Sequence, residues 1–368
     1  MADRRIYLDN AATSWPKPES VYAAVAHAMR DLGAAAGRGV SAEGTEVDRR
    51  IDAARAGIAS LLGVAEPKRV IFTHNGTDSL NLAIHGLLRP GDHAIATAVD
   101  HNSVLRPLQE LAATGAIELT IAACDESGVV DPQAIERALR KNTRLVAFPH
   151  ASNVTGAIQP AAEIVALAHE VKAFALLDAA QTLGSIPLDA RELGADLIAA
   201  PGHKGLLGPL GTGVLYLAPG VEKELRPVRQ GGTGTESERD RQPDSLPEKY
   251  EAGNLNVPGL LGLGAGVAWL KQRGVAAIAA HERELTERLT ARLIEIDGVQ
   301  LYGPRDSANR VGIVAVNLVD CDPRELSVML ETSFRVQTRA GLHCAPRMHA
   351  ALGTVNQNGT LRLSVGPF

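Results

Sequence analysis

The centre of the chain, residues 197–209, reads LIAAPGHKGLLGP. Its apolar run at 197–200 ends in a glycine-rich turn that carries Lys204, and a second apolar run at 213–217 follows soon after. The pattern predicts a lysine held on a turn between two buried strands. A surface lysine in a hairpin loop fits the same pattern, because connecting loops usually carry polar residues.

Strand-like apolar runs alternate with helix-like stretches on both sides of this turn, from about residue 69 to residue 217. We predict strands at 70–72, 94–98, 117–122, 145–148, 174–177, 197–200 and 214–217, and helices at 78–88, 103–113, 132–140 and 161–171. This alternation predicts an α/β fold with a mostly parallel seven-stranded sheet and helices on both faces.

The remainder of the chain predicts a smaller α+β unit at the C-terminal end. A polar segment at 229–249 is interpreted as a loop, and 259–296 as two helices broken near Gly274. Strand, helix and strand patterns follow at 311–317, 323–332 and 361–365. We therefore place a large domain at 15–250 and a small domain at 1–14 and 251–368.

Composition excludes several classes of function. The 368 residues carry a net charge of −5 and only 3% aromatic side chains, with no basic block, so we expect no nucleic-acid partner. No apolar stretch approaches the roughly 20 residues that span a bilayer, and the N-terminus lacks an apolar signal core. Three scattered cysteines fit neither a disulfide framework nor a metal site, and Cys124 and Cys321 are interpreted as small buried apolar residues. We expect a reduced, cytoplasmic protein without a membrane partner.

A carboxylate at the end of a neighbouring apolar run gives the lysine turn a chemical meaning. Residues 173–177 read AFALL and end in Asp178, which predicts a carboxylate at the carboxyl edge of a buried strand. A helix N-cap is the alternative for Asp178. A desolvated lysine amine forms Schiff bases with aldehydes, and pyridoxal phosphate also needs a carboxylate at its pyridine nitrogen. Lys204 and Asp178 together predict a pyridoxal phosphate site.

A possible phosphate site precedes the predicted helix at residue 78. Asn75, Gly76 and Thr77 follow the predicted strand at 70–72. Free backbone N–H groups and the helix dipole favour an anion at such a helix start. Gly76 permits close approach and Thr77 adds a hydroxyl, although plain helix capping has the same sequence pattern.

Three motifs identify a family resemblance: DAAQ at 178–181, GHK at 202–204 and RAGLHCAP at 339–346. With them the chain resembles the class V branch of fold-type I pyridoxal phosphate transferases. Within that branch it is similar to the cysteine desulfurases, a group that includes selenocysteine lyases. The resemblance extends from YLDNAA at 7–12 to the last residues and implies a homodimer.

The resemblance also implies individual roles. Lys204 would form the Schiff base, and Asp178 would pair with the pyridine nitrogen. The other cofactor contacts it implies come from His101 against the ring, Asn153 on the phenolic oxygen, Gln181 on that oxygen or the phosphate, His203, Gly76 and Thr77 on the phosphate, and Asn254 on the phosphate of the partner subunit. Asn10 and Ala12, from the YLDNAA motif, are assigned to the substrate site.

Two arginines and a cysteine complete the expected site. Arg362 would bind the substrate carboxylate bidentately, although an arginine between leucines could also face solvent from an edge strand. Arg339 would be a second cation. Cys344 would attack the substrate sulfur as a thiolate, since neighbouring cations such as Arg339 and His343 lower the pKa of a thiol.

These roles imply a cysteine desulfurase that converts L-cysteine to L-alanine, leaves a persulfide on Cys344 and passes sulfur to an acceptor protein. Several alternatives remain open. They are a lyase for L-selenocysteine, another class V β-lyase or aminotransferase, and an inactive homologue that relays sulfur.

The sequence departs from the resembled family in three places. Pro201 stands where relatives often carry a serine or threonine that binds phosphate, and proline offers neither a hydroxyl nor a backbone N–H. Asn254 stands where relatives often have threonine, and its amide can still donate. The sequence ends at 366–368, where relatives usually continue into a closing helix, so we expect part of the small domain to be uncovered.

Overall fold

The helices and strands come from a computed structural model that describes residues 5–37, 41–236 and 238–368. The strands are β1 (Ile6–Tyr7), β2 (Val70–Thr73), β3 (His93–Thr97), β4 (Glu118–Ala122), β5 (Thr143–Pro149), β6 (Phe174–Asp178), β7 (Leu197–Pro201), β8 (Gly213–Leu217), β9 (Val299–Tyr302), β10 (Ile313–Leu318), β11 (Val336–Gln337), β12 (Arg339–Gly341) and β13 (Thr360–Ser364). The α-helices are α1 (Glu19–His27), α2 (Ala42–Leu61), α3 (Gly76–Leu87), α4 (Asn102–Ala113), α5 (Pro132–Ala138), α6 (Ala161–Glu170), α7 (Ala190–Leu193), α8 (Val221–Glu224), α9 (Val257–Arg273), α10 (Val275–Leu293), α11 (Pro323–Phe334) and α12 (Pro346–Ala351).

The central sheet has seven strands in the order β2-β8-β7-β6-β5-β3-β4. The strands from β7 to β4 pair in parallel, whereas β8 runs antiparallel to both of its neighbours. Strands β6, β7 and β8 are apolar along almost their whole length because helices cover both faces of the sheet. The predicted α/β fold with a mostly parallel seven-stranded sheet is confirmed.

The carboxyl ends of six strands lie at one edge of this sheet, because β2 to β7 run in the same direction. This edge gathers residues that are far apart in sequence: Gly76 after β2, His101 after β3, Asn153 after β5, Asp178 at the end of β6 and Lys204 after β7. Ligands bind at this edge in open α/β sheets.

A second, antiparallel sheet has the order β12-β13-β10-β9. Its buried face is formed by Val314, Val316, Leu361 and Leu363, against which leucines of α10 and α11 pack. The N-terminal strand β1 pairs in parallel with β11, and the chain continues along β13 as far as residue 11. In this sheet Arg339 of β12 lies directly opposite Arg362 of β13.

Most predicted elements are confirmed, with shifts at their ends. The break near Gly274 separates α9 from α10, and the described part of 229–249 contains neither helix nor strand. Helix α3 begins at Gly76, two residues earlier than predicted, because the Asn75 side chain caps it by accepting from Asp78 N. Helix α5 ends at Ala138 because Leu139 is already extended.

Candidate active site

A cavity of about 210 Å³ lies at the carboxyl edge of the central sheet and is closed on one side by β12 and β13. The predicted site residues that line it are Ala12, Gly76, Thr77, His101, Asn153, Asp178, Gln181, His203, Lys204, Arg339 and Arg362. The fold therefore brings together residues from both sheets and from the N-terminal segment.

Three predicted residues lie elsewhere. Asn10 lines an adjoining cavity, where its amide donates to Ser364 O at 3.1 Å. Asn254 lies in a separate pocket beside His74 and Arg229. Cys344 is exposed, and Arg339 links it to the cavity.

Lys204 lies at the base of the cavity, where it is partly buried. Burial lowers the pKa of its amine to about 8, an effect that Asp178 opposes and that Arg362 and Arg339 reinforce. The amine is therefore far closer to its neutral, nucleophilic form at neutral pH than an ordinary lysine. A surface lysine, the alternative for this turn, is excluded by this burial.

Asp178 is the last residue of β6 and is 7% exposed. Burial raises the pKa of its carboxyl, while a hydrogen bond from Ala180 N and the nearby Lys204 charge oppose that rise. A carboxylate that is costly to desolvate gains from a cationic partner in the cavity, such as a protonated ring nitrogen.

His101 both caps a helix and lines the cavity. It is the N-cap of α4, where its Nδ1 accepts from Ser103 N at 3.0 Å. Burial lowers the pKa of the imidazole to about 4, with further lowering by Lys204 and Arg339, so a neutral ring faces the cavity. The Ser103 hydroxyl bridges His101 Nδ1 at 2.8 Å and Thr77 Oγ1 at 2.7 Å.

Ser103 was missed by the sequence analysis, although it lines the same cavity. The signal was present, because a serine two residues after a histidine at a predicted helix start is placed to interact with the capping side chain. The serine hydroxyl connects His101 to Thr77 in the turn before α3.

The turn before α3, which is predicted to bind phosphate, packs closely against the turn that carries Lys204. A Cβ atom on Gly76 would lie 3.1 Å from Pro201 Cδ, so this position has little room for a side chain. Pro201 therefore packs against this turn. His203 lines the same cavity, and its buried Nδ1 has no hydrogen-bond partner in the part of the chain that the structure describes.

Arg362 is buried, not directed into solvent from an edge strand. Its side chain is 1% exposed and forms hydrogen bonds to Asp9 Oδ1 and Asn153 O, each at 2.9 Å. Its Nε atom is buried and unpartnered among the described residues. Since like charges directly opposite each other repel, the facing Arg339 and Arg362 create a position that favours an anion.

Cys344 lies on a short loop that is fixed to the large sheet. His343 and Cys344 both have left-handed backbone conformations, with φ of 47° and 59°. Asn153 Nδ2 donates to His343 O at 2.6 Å, and Asn102 N donates to Cys344 O at 2.8 Å. Arg339 Nη2 lies 3.8 Å from the Cys344 sulfur, so a cation stands beside the thiol.

His343 does not supply the second cation that the sequence analysis offered. Its imidazole is 3% exposed and hydrogen-bonds Thr360 O through Nε2 at 3.0 Å. Burial, reinforced by Arg362, holds the pKa of this histidine well below its usual range, so the ring is neutral. Arg339 therefore carries the positive charge at this position.

The chemistry of the cavity fits pyridoxal phosphate. Its donor set combines a buried amine, a buried carboxylate, a neutral imidazole and the first-turn N–H groups of α3. The unpartnered His203 Nδ1 and Arg362 Nε are polar atoms that a bound anionic group would satisfy.

No group of three or more His, Cys, Asp or Glu side chains among residues 5–37, 41–236 and 238–368 could hold a metal ion. Over the same ranges, no helix is long and apolar enough to cross a membrane.

Fold and cavity together define an α/β protein with a buried lysine facing a carboxylate at the carboxyl edge of a mostly parallel sheet. The Aminotransferase class-V family model matches residues 6–368. The chain therefore belongs to the class V aminotransferase family, whose members are pyridoxal phosphate enzymes.

Similar proteins carry a consistent name. A protein of Methanothermobacter thermautotrophicus named "Probable cysteine desulfurase" is 37% identical over 364 residues, covering 98% of this chain and 90% of that protein. A cysteine desulfurase of Haloferax volcanii is 33% identical and covers 95% of this chain and 82% of that protein. The apo structure of a cysteine desulfurase from Thermococcus onnurineus has a TM-score of 0.90 and 32% identity, covering 98% of this chain and 90% of that chain.

Proposed function

We propose that this chain is a pyridoxal phosphate-dependent cysteine desulfurase. It would convert L-cysteine to L-alanine and retain the sulfur as a persulfide on Cys344. The observation that carries the proposal is the position of Arg339, which lines the Lys204 cavity and also lies 3.8 Å from the exposed Cys344 sulfur. One guanidinium thus connects a pyridoxal phosphate cavity to a nucleophilic thiol.

Pyridoxal phosphate would be held by residues from five strand ends. Gly76, Thr77 and His203 would bind its phosphate, and Asp178 would pair with its ring nitrogen. His101 would lie against the ring, while Asn153 and Gln181 would bind its phenolic oxygen. When bound, the cofactor supplies an aldehyde carbon for Lys204 and a ring that accepts the electron pair released at the substrate Cα.

Lys204 would remove the Cα proton of the substrate. Its amine is suited to this because burial brings its pKa to about 8, close to the operating range of a general base. Arg362 and Arg339 would bind the substrate carboxylate between them, and Asp9 orients the Arg362 guanidinium through its ion pair at 2.9 Å.

Cys344 would then take the substrate sulfur. Its thiolate attacks the sulfur of L-cysteine, an S–S bond forms, and the Cβ–S bond breaks with its electron pair moving to carbon. Protonation of that Cβ carbon and return of a proton to Cα give L-alanine, and the sulfur remains as the Cys344 persulfide. Exposure of Cys344 leaves the persulfide accessible for transfer to an acceptor protein.

The test compares wild type with Cys344→Ala. Both proteins should show the absorbance of the Lys204 Schiff base when pyridoxal phosphate is added, but only wild type should release alanine from L-cysteine and form a persulfide. Cys321→Ala is the matched control, since that cysteine lies away from the cavity residues. Equal alanine release by wild type and Cys344→Ala would sink the assigned nucleophile. A parallel assay with L-selenocysteine and with other amino acids, scored for alanine, pyruvate and keto acid, separates a desulfurase from the other class V activities.

We also propose a cytoplasmic homodimer in which Asn254 of one subunit reaches the phosphate of the other. The exposed position of Asn254 outside its own cavity supports this reach. Light scattering should give twice the chain mass, and Asn254→Ala should weaken pyridoxal phosphate binding. A monomer that binds the cofactor with full affinity would contradict the proposal.

A further inference from the structure

Both peptide groups that flank Lys204 are held by one short segment near the N-terminus, residues 13–17. His203 O accepts hydrogen bonds from Lys17 Nζ at 2.8 Å, from Ser14 N at 3.1 Å and from Thr13 Oγ1 at 3.2 Å. Lys204 O accepts from Ser14 Oγ at 2.9 Å. The carbonyl before Lys204 and its own carbonyl are therefore both held by this segment, and the Ser14 hydroxyl lies within hydrogen-bond distance of both.

Lys17 is the cation in this network. Its ammonium also donates to Ser14 Oγ at 2.6 Å. Because this bond uses the oxygen of Ser14 as acceptor, the hydroxyl proton of Ser14 remains free to donate to Lys204 O. A chain of hydrogen bonds thus runs from Lys17 Nζ through Ser14 Oγ to Lys204 O, and a charged donor strengthens such a chain.

The position of Lys17 costs free energy that a solvated lysine would avoid. Burial lowers the pKa of its amine to about 8, and its ammonium forms no ion pair within the part of the chain that the structure describes. Its hydrogen-bond acceptors are a backbone carbonyl and a hydroxyl, which compensate only part of the lost hydration. The gain is a constraint on the backbone at Lys204.

We propose that Lys17 is a positioning residue for Lys204. By holding the His203 carbonyl directly and the Lys204 carbonyl through Ser14 Oγ, its ammonium constrains the backbone on both sides of the Lys204 Cα and thereby the origin and direction of the reactive side chain. Small displacements of a catalytic group cost large factors in rate, so this constraint supports catalysis. The catalytic consequence rests on the proposed function, whereas the backbone constraint belongs to the chain itself.

The test compares Lys17→Met with Lys249→Met. Lys249 is a matched control because it is also half-buried and donates to a backbone carbonyl, Glu222 O at 2.6 Å, away from the cavity. In the pyridoxal phosphate-loaded enzymes, Lys17→Met should lower kcat on L-cysteine about tenfold with little change in KM, as expected for loss of one charge-assisted hydrogen bond. It should also move the pH midpoint of the Schiff-base absorbance. Lys17→Arg should restore most of both, and Lys249→Met should change neither.

A second measurement does not depend on the cofactor. Amide hydrogen exchange over residues 202–208 should be about tenfold faster in cofactor-free Lys17→Met than in wild type, and unchanged in Lys249→Met. Equal exchange, kcat and absorbance midpoint in the two variants, even with a lower Tm for both, would overturn the positioning role. If wild type binds no pyridoxal phosphate, the proposed function fails, while the exchange result still decides the role of Lys17.

Discussion

The two walls of the cavity differ in how far they expose their reactive groups to solvent. The wall formed by the central sheet carries Lys204 and Asp178. Burial lowers the pKa of the Lys204 amine and raises the pKa of the Asp178 carboxyl, so it favours the neutral form of both groups. The wall formed by the antiparallel sheet leaves Cys344 exposed beside the Arg339 guanidinium. Desolvation suits an amine that must be neutral to react, whereas a thiol that hands its sulfur onward needs solvent access and a nearby cation.

The largest expected effect comes from the wall formed by the central sheet. Lys204→Ala removes both the Schiff-base amine and the general base, so we expect alanine formation to fall by at least about 10⁴-fold. Absorbance of the cofactor and alanine release are the measurements. Lys172→Ala, at an exposed turn, is the control. Substantial turnover by Lys204→Ala would mean that the lysine wall does not carry the chemistry.

Asp178→Asn tests the charge on the same wall while keeping the size of the side chain. We expect bound pyridoxal phosphate to persist and kcat to fall about 10²- to 10³-fold, because the ring nitrogen loses its ionised partner. Single-turnover kinetics with L-cysteine would measure this. If the variant kept the wild-type kcat, the charge of Asp178 would not contribute to catalysis, and its role would be limited to accepting the hydrogen bond from Ala180 N.

The exposed wall should respond more weakly and in a different observable. Arg339→Met removes the guanidinium that lies 3.8 Å from the Cys344 sulfur, and we expect persulfide formation from L-cysteine to slow about tenfold, because one of the two cations that would hold the substrate carboxylate is lost. Cofactor binding should persist. Arg347→Met, on the adjacent helix α12, is the control for a general change in surface charge. An unchanged rate of persulfide formation would show that Arg339 does not assist this step.

The smallest predicted effect is a pH dependence of cofactor capture. Since the amine reacts only when neutral and burial brings the pKa of Lys204 to about 8, capture should rise with pH and level off above that value. The expected increase from pH 7 to pH 8 is about fivefold. Stopped-flow absorbance of the cofactor-free chain measures it. A rise that continues to about pH 10 would indicate an ordinary, solvated lysine.

The fold was predictable because its signals are local. Apolar runs of strand length, separated by helix-length stretches, identified the seven strands of the central sheet, and Gly274 marked the break between two helices. Among the elements that were predicted, the errors lay at their ends, as at α3, where the Asn75 cap moved the helix start to Gly76, whereas α1, α2, β9 and β12 were not predicted. A side-chain cap is a local contact that the periodicity of apolar residues does not report.

The sequence by itself determined the alternating fold, the paired Lys204 and Asp178, and the motif that carries Cys344. Only the tertiary structure decided the burial, the protonation state and the hydrogen-bond partners of each side chain. It buried Arg362 against Asp9, made His343 neutral, connected His101 to Thr77 through Ser103 and placed Lys17 against the backbone of Lys204. The physical reason is that residue type and spacing are written along the chain, whereas burial and hydrogen-bond partners depend on segments that meet only when the chain folds.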